Sequence, residues 1–317
     1  MLRRVFLWAV LLGFVLANVL VYQHAAAMTD FAASGERTER PENLSLWDKI
    51  KVLSTGITLV RRPLDDTPAD FDMQYSSHHF DNGVGYQLHA WHIPATDAQT
   101  TVLLFHGYGG NVSLLLKHAK AFHDLGYSIF AVDFFGSGNS SGSHTTVGVT
   151  EAMDVKAAAG YVRAHWPEQK QTLYGQSMGA AAITRAMAQL DVQANAVILE
   201  SSYDTLLHTA QVRFNSMGLP GSPFAQWLLF WGGVRHGFNP FSMKPAEFAQ
   251  TITVPTLLFQ GGIDVRVPNA QAEAIDQALA GWHKLVVFEK AGHVGMLESD
   301  PQRWKAEVIG LSERLAD

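Results

Sequence analysis

An apolar run ending at Tyr174, then Gly175-Gln176-Ser177-Met178-Gly179, then a small-residue helical pattern confine this chain more than any other stretch of it. A strand that passes straight into a helix leaves room for one sharp turn, which lifts the Ser177 Oγ above the end of a sheet. Glycine is expected at 175 and 179 because a Cβ there would strike the crossing strand and helix. Ala180, Ala181 and Ala182 then let the helix lie close to the sheet. The backbone N–H groups that open this helix, Met178 first, point at any negative oxygen forming beside Ser177. Glycine is common enough that the pentad alone is a weak signal, so its surroundings decide.

Those surroundings alternate. Residues 73–80 and 86–93 read as a hairpin, with turn chemistry at Asp81-Asn82-Gly83. Short apolar runs at 101–105, 128–132, 172–174, 196–199, 256–260 and 284–288 read as buried strands. Helical patterns fall between or after them at 113–125, 149–164, 178–189, 269–279 and 302–315. The expected fold class is therefore α/β, a mostly parallel, doubly wound sheet. Ligands bind at the carboxyl ends of the strands in such sheets, where Ser177 lies. Asp264 follows the run ending at Gln260, and His293 follows the run ending at Phe288. All three share one rim in the order serine, acid, histidine. A serine hydroxyl needs a base to take its proton, which suits His293. A carboxylate that fixes the imidazole tautomer and stabilises the imidazolium suits Asp264.

With His106-Gly107-Tyr108-Gly109-Gly110 and the turn from Asp133 to Gly142, these segments resemble the α/β-hydrolase superfamily over roughly residues 70–315. Within it the chain is similar to the extended-esterase and serine-aminopeptidase-like branch that includes BEM46-like membrane-anchored proteins. The resemblance implies that the backbone N–H groups of Tyr108 and Met178 form an oxyanion hole. One departure shows: relatives often carry Arg where this chain has Phe135, which puts the pairing of that turn in doubt. Some relatives place the acid after the strand ending at Leu199, near Glu200 and Asp204. Asp264 is preferred because its Gly-rich turn and Pro268 match the usual acid loop, and Asp204 then reads as a helix N-cap.

Residues 203–250 interrupt the alternation and read as an inserted helical cap, rich in aromatic residues from Phe214 to Phe241. The cap is either a lid over an acyl pocket or ordinary helix packing. The run from Phe224 to Trp231 is apolar nearly all round, which predicts a cap that faces a bilayer.

The N-terminal residues 1–27 differ from the rest. Arg3 and Arg4 precede Val5 to Tyr22, 18 residues without a charge. A spanning helix needs about 17–25 residues, and a secretory apolar region about 7–15. The length favours a signal-anchor, while Ala25-Ala26-Ala27 resembles a signal-peptide cleavage site. Either way the arginines stay inside and the rest is exported, anchored or released as a secreted or periplasmic protein. Residues 28–69 read as a tether and lead-in, and 70–317 as the hydrolase domain.

A net charge of −6 gives no basic surface for nucleic acid, and the absence of cysteine excludes disulfides and thiolate chemistry. His89 and His92 are three apart on a strand and face opposite sides, so no metal site is expected there. The Gly107 region lacks the spacing of a P-loop or dinucleotide fingerprint, and no cofactor is expected. The leading function is a serine esterase acting on a small-molecule or lipid-like acyl substrate, ester or thioester. A serine-aminopeptidase-type peptidase or amidase, and a non-catalytic tethered binding module, stand as alternatives.

Overall fold

The structure is a computed structural model describing residues 1–39 and 43–315. The chain begins with α1 (Leu2–Thr29) and α2 (Leu46–Thr55), then β1 (Ser76–Asp81), β2 (Gln87–Ile93) and β3 (Thr100–Phe105). It continues through α3 (Leu116–Asp124), β4 (Ser128–Asp133), α4 (Glu151–His165), β5 (Lys170–Gln176), α5 (Met178–Leu190) and β6 (Ala196–Glu200). Three cap helices follow, α6 (Leu206–Ser216), α7 (Phe224–His236) and α8 (Pro245–Ala249). The last third holds β7 (Thr256–Gly261), α9 (Asn269–Ala278), β8 (His283–Phe288), α10 (Met296–Ser299) and α11 (Pro301–Arg314).

The eight strands form one sheet in the order β1-β2-β4-β3-β5-β6-β7-β8. Only β2 runs against its neighbours, pairing antiparallel with β1 and β4. This is the expected doubly wound α/β sheet with a helical cap inserted between β6 and β7. Alternation along β3 explains the two cores. Leu103 and Phe105 join a cluster on one face, while Val102 and Leu104 join a cluster on the other. His89 and His92 fall on opposite faces of β2. His89 bonds Asp133 at 2.8 Å, while His92 stacks on Trp166.

The sheet elements fall where the sequence puts them, to within a few residues. β5 extends past both ends of its apolar run because Lys170 and Gln171, polar themselves, pair in register with Thr100 and Thr101, and Gln176 pairs with Glu200. The helix expected at 113 opens instead as a 3₁₀ turn, Val112–Leu115, because Asn111 accepts from the Ser113 N–H and tightens the entry.

Two features go beyond the sequence reading. Much of the tether and lead-in packs on the domain. Ala32 bridges Val60, Asp30 bridges His144, and Ser45 caps α2. The physical reason is that Arg61 drives into the Asp133–Gly142 turn and donates to its Gly138 and Gly142 carbonyls. Residues 40–42 lie outside the described residues. The aromatic run of α7 is also partly covered. The indoles of Trp227 and Trp231 both donate to Asn18 Oδ1, at 2.9 and 3.1 Å, and Phe14 stacks on Trp227. Those two tryptophans therefore face α1, and Phe230 is the aromatic that α7 leaves exposed. Ala25-Ala26-Ala27 lies within the last two turns of α1, with Ala25 buried.

Candidate active site

β5 delivers Ser177, and the following helix holds it in a backbone conformation that side chains rarely adopt, φ 53° and ψ −112°. Such strain persists only where the surroundings impose it. Here two glycines let them do so. A Cβ on Gly175 would lie 2.5 Å from the Ala180 nitrogen of α5, and one on Gly179 would lie 2.3 Å from the Phe105 carbonyl oxygen of β3. The contacts differ in kind from a general crowding: Gly175 spares the helix, and Gly179 spares the neighbouring strand. The Ser177 N–H donates to the Glu200 carbonyl at 2.7 Å, which ties the turn to β6.

The loops after β7 and β8 bring the other two side chains to this point. His293 Nε2 lies 2.9 Å from Ser177 Oγ, and His293 Nδ1 lies 2.8 Å from Asp264 Oδ2. Asp264 Oδ1 accepts from the Arg266 and Val267 N–H groups at 2.8 and 3.0 Å, so its loop orients the carboxylate before it meets the ring. With a carboxylate on Nδ1, that nitrogen carries the proton and Nε2 is left to accept one from the serine. The Asp264 side chain is fully buried, whereas the His293 ring is 12% exposed and faces the cavity.

The structure does not bring Asp204 or Glu200 to His293. Asp204 pairs with His208 at 2.9 Å and accepts from the Thr205 N–H, and Thr205, not Asp204, caps α6. Glu200 is buried under the turn and accepts from Tyr174 Oη and Gln176 Nε2, each at 2.9 Å. Burial pushes its carboxyl up, but the neighbouring His118 charge and these bonds together leave it below the ordinary range.

Tyr108 and Met178 flank Ser177 on the loop after β3 and at the head of α5. Among the described residues no protein acceptor takes either N–H. Gly107 sits close by, its Cβ position 3.5 Å from Ser177 Cβ. Sequence reasoning quoted His106 in this motif without giving it a task. Buried completely, it donates from Nδ1 to the Gly107 carbonyl at 2.8 Å and accepts the Phe134 N–H on Nε2 at 3.1 Å. Burial lowers its pKa, and accepting an N–H requires the neutral ring, so one tautomer locks the loop. The Phe135 departure is answered from outside the turn. Phe135 is buried against Tyr86, and the guanidinium at this turn comes from Arg61, which donates to the carbonyls of Ser137, Gly138, Ser140 and Gly142. No periodicity or motif marks Arg61 in the sequence.

A cavity of about 640 Å³ opens at Ser177 and His293. The cap contributes Leu206, Leu228 and Leu229, and α1 contributes Ala25 and Met28, which sequence reasoning did not place near the site. Arg37, Arg62, Arg213, Arg266 and Glu39 also reach it, a charged set drawn from distant segments. The α1 contribution is bonded to the site directly: Tyr108 Oη donates to the Met28 carbonyl at 2.5 Å. Burial raises the Tyr108 pKa to about 12, so this hydroxyl keeps its proton.

Residues 96–226 match a family model described as serine aminopeptidase, S33. The chain is 22% identical to YqkD of Bacillus subtilis over 273 residues, covering 83% of this chain and 88% of that protein. It is 27% identical to bem46 of Schizosaccharomyces pombe over 146 residues, covering 44% of this chain and 48% of that protein. The esterase Pf2001 of Pyrococcus furiosus superposes with a TM-score of 0.65 at 25% identity, covering 80% of this chain and 98% of that one.

Proposed function

Because the chain is an α/β-hydrolase similar to the BEM46-like and serine-aminopeptidase-like branch, we propose that it is a membrane-anchored serine hydrolase that cleaves esters or thioesters of hydrophobic acyl groups. The observation that carries this reading is the hydrogen-bonded series Asp264–His293–Ser177 opening onto a cavity walled by Leu206, Leu228, Leu229 and Met28. Ser177 Oγ attacks the acyl carbonyl carbon while His293 Nε2 takes its proton. The oxygen that becomes negative lies between the Tyr108 and Met178 N–H groups, which are fixed before the reaction and need no reorganisation. Collapse breaks the bond to the leaving oxygen or sulfur, which takes from His293 the proton that came from Ser177. Water, deprotonated by the same ring, then attacks the acyl carbon, and His293 returns that proton to Ser177 Oγ as the carboxylic acid leaves. Asp264 keeps the ring in the tautomer this cycle needs.

The relatives' esterase and peptidase descriptions leave two leaving groups to weigh. Esters lead because Leu206, Leu228, Leu229 and Met28 give the cavity an apolar part, beside its charged set, that suits an acyl group. A peptidase reading draws on the S33 match and on Glu39, a carboxylate in the cavity that suits a substrate amine. The test is turnover of p-nitrophenyl esters of graded length against peptide p-nitroanilides, using full-length protein in detergent. Ester turnover with little amide turnover is expected, and amide preference would replace the ester reading.

The anchor is read as uncleaved, with Arg3 and Arg4 inside and the hydrolase domain outside. Among the described residues α1 is the one helix long and apolar enough to cross a membrane. The packing of its second half on α7 supports retention, since cleavage after Ala27 would leave Trp227 and Trp231 without their acceptor.

A further inference from the structure

The contacts between α1 and α7 fix how deep the cap sits, and depth decides where substrate comes from. Val5 to Tyr22, at about 1.5 Å per residue, covers roughly 27 Å, most of a bilayer's hydrocarbon core. α7 runs parallel along the second half of α1. Its C-terminal end meets Asp30 through Arg235 and His236, its middle meets Tyr22 through Trp231, and Trp227 reaches Asn18 and Phe14. Phe14 is eight residues inside Tyr22, about 12 Å along the axis. The free part of α1 before Phe14 is too short to cross a bilayer by itself. For α1 to span, the first turns of α7 must therefore enter the leaflet beside it.

The side chains agree with that depth. Phe230 and Val234 of α7 are exposed, and no charge occurs on α7 until Arg235, which lies at the level of Asp30 where α1 ends. Asn18, the polar residue in the apolar stretch, has its oxygen satisfied by two indole N–H groups, as burial in lipid requires. α2 makes an independent observation. His24 Nε2 bonds the Val52 carbonyl at 3.0 Å, which holds α2 at the level of the end of α1. Its exposed residues include the large apolar Leu46, Trp47 and Ile50 beside Asp48 and Lys51, a mixed set with the tryptophan favoured at a membrane interface.

Between these three helices runs a slot. The Ser177 cavity and a smaller one beside it share Met28, Ile57 and Leu228, together with Thr38, Glu39 and Arg213, and the smaller one continues to Val52, Leu53 and Phe214. We infer that this slot takes the acyl tail of a membrane-resident lipid or lipidated ester, so that the anchor helix forms one wall of the substrate site and the tail reaches Ser177 without crossing water. The inference rests on the proposed hydrolase activity. Each buried methylene of the tail strengthens binding roughly fourfold, so blocking the slot should act on long chains and spare short ones in proportion.

The experiment uses full-length protein in phospholipid nanodiscs, with p-nitrophenyl acetate and p-nitrophenyl dodecanoate as substrates. The readout is the ratio of kcat/KM for dodecanoate over acetate. Met28→Trp fills the slot from α1 and Leu53→Trp fills its far end from α2, so one variant remains if the other fails to fold. Each folded variant is expected to lower the ratio at least tenfold. An unchanged ratio overturns the slot, as does a wild-type enzyme that turns over acetate and ignores dodecanoate. Wild-type protein that hydrolyses neither ester refutes the hydrolase reading itself, and so the two failures are distinct.

Discussion

Replacing Gly179 by Ala adds one methyl group at the point where α5 crosses β3. That Cβ would lie 2.3 Å from the Phe105 carbonyl oxygen and 2.9 Å from the His106 oxygen, both backbone atoms of a strand end that cannot swing aside. A carbon and an oxygen need about 3.3 Å, so the first turn of α5 must retreat by about 1 Å. Overpacking of a filled core costs about 1–3 kcal/mol, and contact with buried backbone argues for the upper end. The functional loss is larger. The retreat carries Ser177 and the Met178 N–H away from Tyr108 and His293, and a misplacement of about 1 Å costs on the order of 100-fold in rate. Gly160→Ala in the middle of α4 is the control, since nothing lies within 4 Å of its Cβ position. Removing a helical glycine there should stabilise the protein by about 0.5–1 kcal/mol and leave turnover alone. Thermal unfolding and kcat/KM on p-nitrophenyl acetate read both effects. A Gly179→Ala enzyme with wild-type melting temperature and rate would refute the steric account of this turn.

Other perturbations separate the remaining roles. His293→Ala should match Ser177→Ala, each lowering kcat by about six orders of magnitude, with Asp264→Asn milder at about four. Asp204→Asn, which only unpairs His208, should stay within a few-fold, and a larger loss than Asp264→Asn would reassign the acid. Arg61→Ala strips the Gly138 and Gly142 carbonyls of their donor and should cost about 2–3 kcal/mol by urea unfolding. A cost below about 0.5 kcal/mol would show that water replaces the guanidinium. Burial, with the nearby His78, lowers His92 to about 4. Its folded pKa lies below the unfolded value of about 6.5, so its stabilisation is complete above pH 6.5 and is lost as pH falls toward 4. By pH 5 the loss is about 2 kcal/mol, and His92→Phe should remove that share of the fall in the urea midpoint between pH 7 and 5. An unchanged fall would place the acid sensitivity elsewhere.

The strand-to-helix turn, the strand ends and the three polar residues above them could be read from the chain because each depends on local pattern. An apolar run sets the strand, and the residues that follow inherit its rim. Arg61 could not be read this way, since its partners lie more than 70 positions away. Nor could the place of α1. Eighteen uncharged residues look the same whether lipid or α7 covers them, and Asn18 within them gives no hint of two indole donors. The aromatic run of α7 carries the matching ambiguity. Solving one solves the other, because each is the other's missing surface. A chain shortened by residues 1–27 would therefore lack Ala25 from the cavity wall as well as the anchor.

The central claim is that Ser177 is the nucleophile. Full-length protein in nanodiscs, treated with a fluorophosphonate and mapped by peptide mass spectrometry, tests it most directly. The account predicts a single adduct on Ser177, absent in Ser177→Ala and strongly slowed in His293→Ala, because the hydroxyl attacks only while His293 Nε2, 2.9 Å away, can take its proton. Undiminished labelling of folded Ser177→Ala protein, or an adduct on another serine, would contradict it.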